Sequence, residues 1–522
     1  MKQEFDVVIV GGGHNSLVAA CYLGKAGLRV AVLEKNVQFG GATVSQKVFP
    51  DFEARLSRYS YLVSLLPDQI IEDLGLTFTT LSRSVSSYTP FNRGGENLGL
   101  LVNSDFGGET ESSFIQALGS EHDYQSWLNF YDSVKLFAQA VAPTMLSPLP
   151  TRSELKSLVN DPIWEALVER PLGEILESTF ESDLVRGVIF TDALVGTFSD
   201  SQSLFANICF IYHVIGNGTG QWRVPRGGMG GLVFELLELA KIYGVTLLSE
   251  REVHRIEATT DGYETTTSTG EKFASRYVLA NCAPQTLARM IEMPHISSLD
   301  GSQVKINMLL KKLPRLKSGV DPREAFAGTF HIDESYSQFQ KAFDQANRGE
   351  IPDRIPAEMY CHTLTDPSIL SEELQERGFH TLTLFAFHTP ASLFDVNPSE
   401  VTAEITARVL RQLNEYLLDP IEECLAVSQD GSLCIEAKNP LDIEVETGLP
   451  RGNIFQKDLS MPFKEDGDDI RWGVETAHPN LFLAGAGAIR GGGVSGIPGH
   501  NAAAAVLEAE AKRINDPLKV KG

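Results

Sequence analysis

At 522 residues the chain is too long for one comfortable hydrophobic core, so two or three domains are expected. Its 43% hydrophobic and 21% charged residues are those of an ordinary globular protein, and a formal charge of −24 argues against general affinity for nucleic acid or anionic lipid. The six cysteines are scattered, with neither a C-x-x-C pair nor zinc-ligand spacing, which speaks against dithiol and zinc chemistry. No apolar run approaches the roughly 18 residues of a membrane span. The first strand begins near residue 5, leaving no room for a leader, so a cytoplasmic protein is expected. Peripheral membrane contact through a local apolar patch stays open, as does the oligomeric state.

The chain opens with a buried-strand pattern over 5–10, then Gly11-Gly12-Gly13-His14-Asn15-Ser16, then a helix over 15–25. Gly11 suits a tight turn, and Gly13 lets a pyrophosphate approach the backbone. The helix N-terminus offers that anion unpaired N–H groups. Glu34 ends a second strand over 29–33, where a carboxylate can accept ribose hydroxyls. The third glycine of the dinucleotide fingerprint is replaced by Ser16, a small change at a packing position. This is a βαβ opening.

From about 100 to 225 the pattern turns helical, with helices predicted near 112–118, 124–141, 154–159 and 183–195. Pro143 to Pro150 break this region. The α/β character returns at Arg226. A helix follows Gly227-Gly228-Met229-Gly230-Gly231, and strands are predicted at 245–248, 252–258, 263–269 and 277–280. Between 301 and 440, strands at 304–310 and 381–387 accompany an amphipathic helix over 399–417.

The last 80 residues or so return to the glycine-rich style of the start. A strand leads into Gly485-Ala486-Gly487, then Gly491-Gly492-Gly493-Val494-Ser495-Gly496. Pro498 suits the first turn of a closing helix. One phosphate site needs one glycine loop. A second loop at the far end fits a longer cofactor whose other half carries hydrogen-bonding ring edges, FAD rather than NAD.

These segments, with Leu33-Glu34-Lys35, Gly40-Gly41-Ala42, Ser60-Tyr61-Leu62, Trp222 to Met229 and Gly452-Asn453-Ile454-Phe455, resemble the flavoprotein superfamily of phytoene desaturases, carotene ketolases and isomerases, and amine oxidases. The phytoene-desaturase-like branch is nearest. The resemblance implies an α/β fold: a Rossmann-like FAD-binding domain of the glutathione-reductase/amine-oxidase type, a discontinuous α+β substrate domain and a helical insertion. The expected segments are 1–99, 226–300 and 441–522 for FAD, 100–225 for the insertion and 301–440 for the substrate domain. The resemblance places Gly11, Gly12, Gly13, Asn15, Ser16, Glu34, Lys35, Gly40, Gly41, Ala42, Val253, Gly485, Gly487, Val494, Ser495 and Gly496 in the cofactor site. Within that set, Gly11, Gly13 and Ser16 would cradle the pyrophosphate. Val253 would meet the adenine, and the 487–496 loop would lie beside the flavin. Gln456 stands where relatives tend to have histidine and cannot act as an acid or base.

The catalytic candidate is Lys305. The resemblance places it near flavin N5 through a water, where a cation favours the reduced anionic flavin; the alternative is a strand lysine facing solvent. His14 and His500 are candidates for the cofactor region or for packing. His213 and Trp222 are candidates for a cavity wall or the core. Arg58, Tyr59 and Tyr61 are candidates for the flavin face or for packing. The expected activity is FAD-dependent hydride removal from an apolar or amphipathic small molecule. The alternatives are an amine or amino-acid oxidase using oxygen, and a flavoprotein acting mainly through protein contacts.

Overall fold

Two seven-stranded sheets, joined by a helical region, organise the chain. The structure, a computed structural model, describes residues 3–294, 296–297 and 299–515. In the first sheet, strand β1 (Gln3–Val10) lies between Lys272–Ala280 and β2 (Val30–Leu33), parallel to both. Beyond β2 comes Thr246–Leu248, and Leu481–Leu483 runs parallel to the end of Lys272–Ala280. An antiparallel meander, Val253–Thr259 and Gly262–Thr267, extends the sheet from Lys272–Ala280. The Val-rich run 7–10 is buried because both sheet faces are covered, as parallel sheets require.

One face is covered by helix α1 (His14–Lys25) together with the helices Gly230–Ile242 and Ile497–Asn515. Small residues make this tight layer possible. A Cβ on Gly499 would fall inside van der Waals distance of the Asn15 carbonyl oxygen. The first and last helices of the chain therefore pack backbone against backbone.

The second sheet runs Ile435–Lys438, Val304–Leu310, His380–Ala386, Ala357–Tyr360, Thr329–Ile332, Val85–Arg93, Glu96–Asn103. All its pairings are antiparallel except that of Thr329–Ile332 with Val85–Arg93. The expected boundary at residue 99 needs correction, because it falls inside the strand Glu96–Asn103. The pair 85–103 joins the second sheet, since Val85–Arg93 hydrogen-bonds to a strand more than 200 residues away.

Helices follow one another between Gly108 and Ile215, and they pack around Phe130, Phe137, Trp164 and Phe210. Predicted element bounds shift by a few residues: the helix expected over 399–417 is Pro398–Asn414, and the closing helix carries Pro498 at its second position. Among the described residues no helix is long and apolar enough to cross a membrane.

Candidate active site

Between the sheets and the helical region lies a cavity of about 1310 Å³, larger than a pocket for one small ligand. One end is main chain. Gly11 turns at φ +91° just after β1, and α1 begins at His14 behind its N-cap Gly13, with no side-chain cap. The second glycine pair docks on the first: the Gly40 N–H donates to the Gly12 carbonyl at 2.8 Å, and Gly13 and Gly40 form a parallel bridge. Glu34 is buried, and its carboxylate accepts the N–H groups of Gly12 (2.6 Å) and Asn36 (2.8 Å). Two main-chain donors thus fix its orientation at the cavity edge.

Gly11, Gly12, Gly13, Asn15, Glu34, Lys35, Gly40, Gly41, Ala42, Val253 and Val494 all line this cavity. Ser16, Gly485, Gly487, Ser495 and Gly496 do not line it. The Ser16 hydroxyl donates to the Gly11 carbonyl at 2.5 Å, consistent with a packing substitution. Ser495 is buried and accepts the Ile497 N–H.

Gln456 ties the ends of two strands together. Its Nε2 donates to the Asn281 carbonyl at 2.8 Å, and its Oε1 accepts the Gly487 N–H at 3.0 Å. Asn281, with its amide oriented so that both ends are paired, accepts the Gly13 N–H at 3.1 Å and donates to the Ala484 carbonyl at 3.2 Å. The amide at 456 therefore joins Asn281 to Gly487, and Asn281 in turn reaches Gly13.

His14 also lines the cavity and pairs through Nδ1 with the Thr43 hydroxyl at 2.9 Å; burial pushes its pKa down to about 4. His500 does not line it. Its ring packs edge-on against Tyr22 and near Trp472.

The other end is a chamber of side chains. Trp127, Tyr131, Trp222 and Phe385 form aromatic walls. Tyr61 faces the chamber, donates to Glu358 and lies 5.1 Å from the Phe385 ring. His213 and Trp222 both line it, with ring centroids 4.2 Å apart, and His213 Nε2 lies 3.2 Å from Asp192 Oδ1. Burial pushes the Asp192 carboxyl well above the usual carboxylate range and raises Glu358 too, while it lowers His213 to about 3. Arg58 is instead held by Glu436 and Gln46, and Tyr59 donates to Glu446.

Lys305 does not face solvent. It is fully buried on Val304–Leu310, donates to Thr383 and points at the rings of Phe385 (4.2 Å) and Tyr61 (4.8 Å). Burial, partly offset by Glu358 and Glu436, brings its pKa down to about 7. It stands behind the chamber wall, outside the residues that line the cavity.

Sequence reasoning missed Arg83, Asp192 and Glu358. The available signal was modest: Asp192 is an acid in the apolar run 185–195, and Glu358 is one in the buried strand Ala357–Tyr360.

A dinucleotide cradle continuous with a walled chamber defines an FAD-dependent oxidoreductase. The glycine loops line the cavity where a side chain would intrude, and the uncapped N-terminus of α1 and the oriented Glu34 carboxylate suit a pyrophosphate and a ribose. The chain belongs to the flavin containing amine oxidoreductase family, whose model matches residues 17–507. It is 43% identical over 536 residues to an uncharacterized protein of Mycobacterium tuberculosis, covering 99% of both chains. It is 29% identical over 572 residues to pyridine nucleotide-disulfide oxidoreductase domain-containing protein 2 of Mus musculus, covering 97% of this chain and 94% of that one. Among solved structures, putrescine oxidase bound to putrescine shares the fold, with a TM-score of 0.59 at 16% identity over 98% of this chain and 100% of that one.

Proposed function

We propose that this enzyme removes hydride from the carbon skeleton of an amphipathic small molecule, in the manner of a desaturase. The observation that carries the reading is the single cavity, which runs from the glycine loops to a chamber with aromatic walls and an ionisable cluster. FAD, when bound, supplies the two-electron acceptor. Asn15, Glu34, Gly40 and Gly41 serve to hold it at the glycine end. Trp127, Tyr131 and Phe385 exclude water and grip the apolar part of the substrate, while Arg83, Asp192, His213 and Glu358 orient its polar part. A purely hydrocarbon substrate would leave that cluster desolvated without a partner, which favours an amphipathic one.

Lys305 is read as an electrostatic neighbour of the site, acting through Tyr61 and Phe385. The free cysteines suit a reducing compartment, and we read the enzyme as cytoplasmic.

The test is anaerobic. The yellow holoenzyme is mixed with isoprenoids, long-chain acids and alcohols, and alkylamines, and loss of flavin absorbance is followed. Bleaching by chain-bearing amphiphiles that yields an unsaturated product supports the reading. Bleaching by alkylamines alone overturns it in favour of amine oxidation.

A further inference from the structure

The second sheet sets reactive side chains in one row. Across its register His331 stands opposite Glu358, Glu358 opposite Phe385, Phe385 opposite Lys305, and Lys305 opposite Lys438. Residues directly opposed in antiparallel strands present their side chains on the same face. His331, Glu358 and Phe385 line the cavity, so this row is the sheet's side of the chamber. Tyr61 lies over it: its ring packs on Tyr360 at 5.7 Å and Phe385 at 5.1 Å, and its hydroxyl reaches Glu358.

Glu358 is buried on Ala357–Tyr360, with paired strands on both sides. Its Oε1 accepts the Tyr61 hydroxyl. Its Oε2 accepts no hydrogen bond from the described residues, yet it is not among the buried polar atoms sealed off without a partner, so it is open to the cavity. Arg83 and Lys305 are the cations in its electrostatic reach, Asp192 and Glu334 the acids, and His331 its cross-strand neighbour. Burial raises its pKa, and Tyr61, Arg83 and Lys305 hold part of that rise back. Asp192 also lines the chamber, but it is set against His213 on the short turn Thr191–Ala193. A group carried on a central strand is held more precisely than one on a turn.

Desaturation breaks two C–H bonds, and only one hydrogen leaves as hydride. We propose that Glu358 is the base of this reaction, its open oxygen taking a proton from the carbon next to the one that gives up hydride, with Tyr61 as the positioning residue that fixes the carboxylate. This rests on the desaturase reading and adds the residue that completes it. The hydride carries one electron pair to the flavin, the pair of the second C–H bond becomes the π bond of the new C=C, and the carboxylate becomes a carboxylic acid. That acid returns its proton to water once the product has left.

The experiment mixes holoenzyme anaerobically with farnesol, 1-decanol and decanoate and follows loss of flavin absorbance across pH. The parent is expected to bleach with at least one of them, faster as pH rises through the pKa of the base. Glu358→Gln should slow bleaching about 100-fold or more with FAD content retained, and Glu358→Asp by less. Tyr61→Phe removes a donor that favours the ionised carboxylate, so the acid limb of the rate profile should move up by about one pH unit. Infrared difference spectra give a readout apart from rate. Reduction by substrate, with product still bound, should add a protonated-carboxyl band that dithionite reduction does not add and that Glu358→Gln lacks.

Glu358→Gln bleaching at the parent rate with the same acid limb overturns the base and leaves the desaturase reading standing. So does an acid limb lost in Asp192→Asn but kept in Glu358→Gln. Failure of all three compounds to bleach the parent overturns both. If Glu358→Gln does not fold, Tyr61→Phe decides, and an unmoved limb overturns the base.

Discussion

The two ends of the cavity are built from different materials. The glycine end is main chain: backbone N–H groups, close helix packing and one carboxylate fixed by two amides. The chamber end is side chain, assembled from the helical region, the second sheet and the segments 82–83 and 222–223. Main-chain geometry tolerates few replacements but is the same wherever the fold occurs. A side-chain chamber can be rebuilt one residue at a time, so chemistry can diverge there while the cofactor stays.

If that contrast is right, the largest effect belongs to the glycine layer. Gly499→Val drives a side chain into the Asn15 carbonyl and should cost on the order of 3 kcal/mol or more, seen as loss of soluble yellow protein, whereas Arg83→Gln should purify with full FAD. Chamber variants that lose FAD as readily as Gly499→Val would break the comparison. Glu34→Ala comes next. Removing a carboxylate that organises two amides should weaken FAD binding by about 10- to 100-fold, measured by fluorescence titration of the stripped protein. Gln456→Leu leaves the Gly487 N–H and the Asn281 carbonyl without their clasp, and should lower stability by about 1–3 kcal/mol in urea unfolding.

Proton linkage should separate the ends by sign. His14 is held neutral down to about pH 4, so in the native state it binds fewer protons than in the unfolded chain. Its contribution is fully present above pH 6.5 and is lost as pH falls toward 4, by up to about 3 kcal/mol. His14→Asn should flatten that acid limb of the stability–pH curve. Asp192 behaves in the opposite sense. Its native pKa is raised, so its contribution is present at low pH and lost as pH rises, and Asp192→Asn should gain on the parent at alkaline pH. Urea midpoints across the pH range check both.

The smallest effect is expected from Lys305→Met, which should leave the fold and FAD content intact. It should remove an inflection near pH 7 from the pH dependence of bound-flavin absorbance.

The same contrast explains what was legible in the sequence. Glycine spacing, the acid ending β2 and the mirrored C-terminal glycine run are local signals; Gly11, Gly13, Glu34 and Val494 line the cavity, whereas Ser16, Gly485, Gly487, Ser495 and Gly496 do not. The pair 85–103 was misassigned because its parallel partner, Thr329–Ile332, is far away in sequence. Arg83 escaped notice because nothing within several residues marks it; it meets the cavity beside Trp222, far away in sequence. Lys305 was identified as a residue of interest, but its burial could not be read from a strand pattern. Burial depends on which sheet covers it.

The backbone contact between the first and last helices bears on biosynthesis. Leaving the ribosome, α1 emerges early with its small-residue face exposed, and its closing partner arrives only when residue 499 has been made. The strand Leu481–Leu483, which completes the sheet beside Lys272–Ala280, is equally late. The close layer between these two helices is therefore completed only after residue 499 has been made. Until then the growing chain has to shield its apolar first helix by other means.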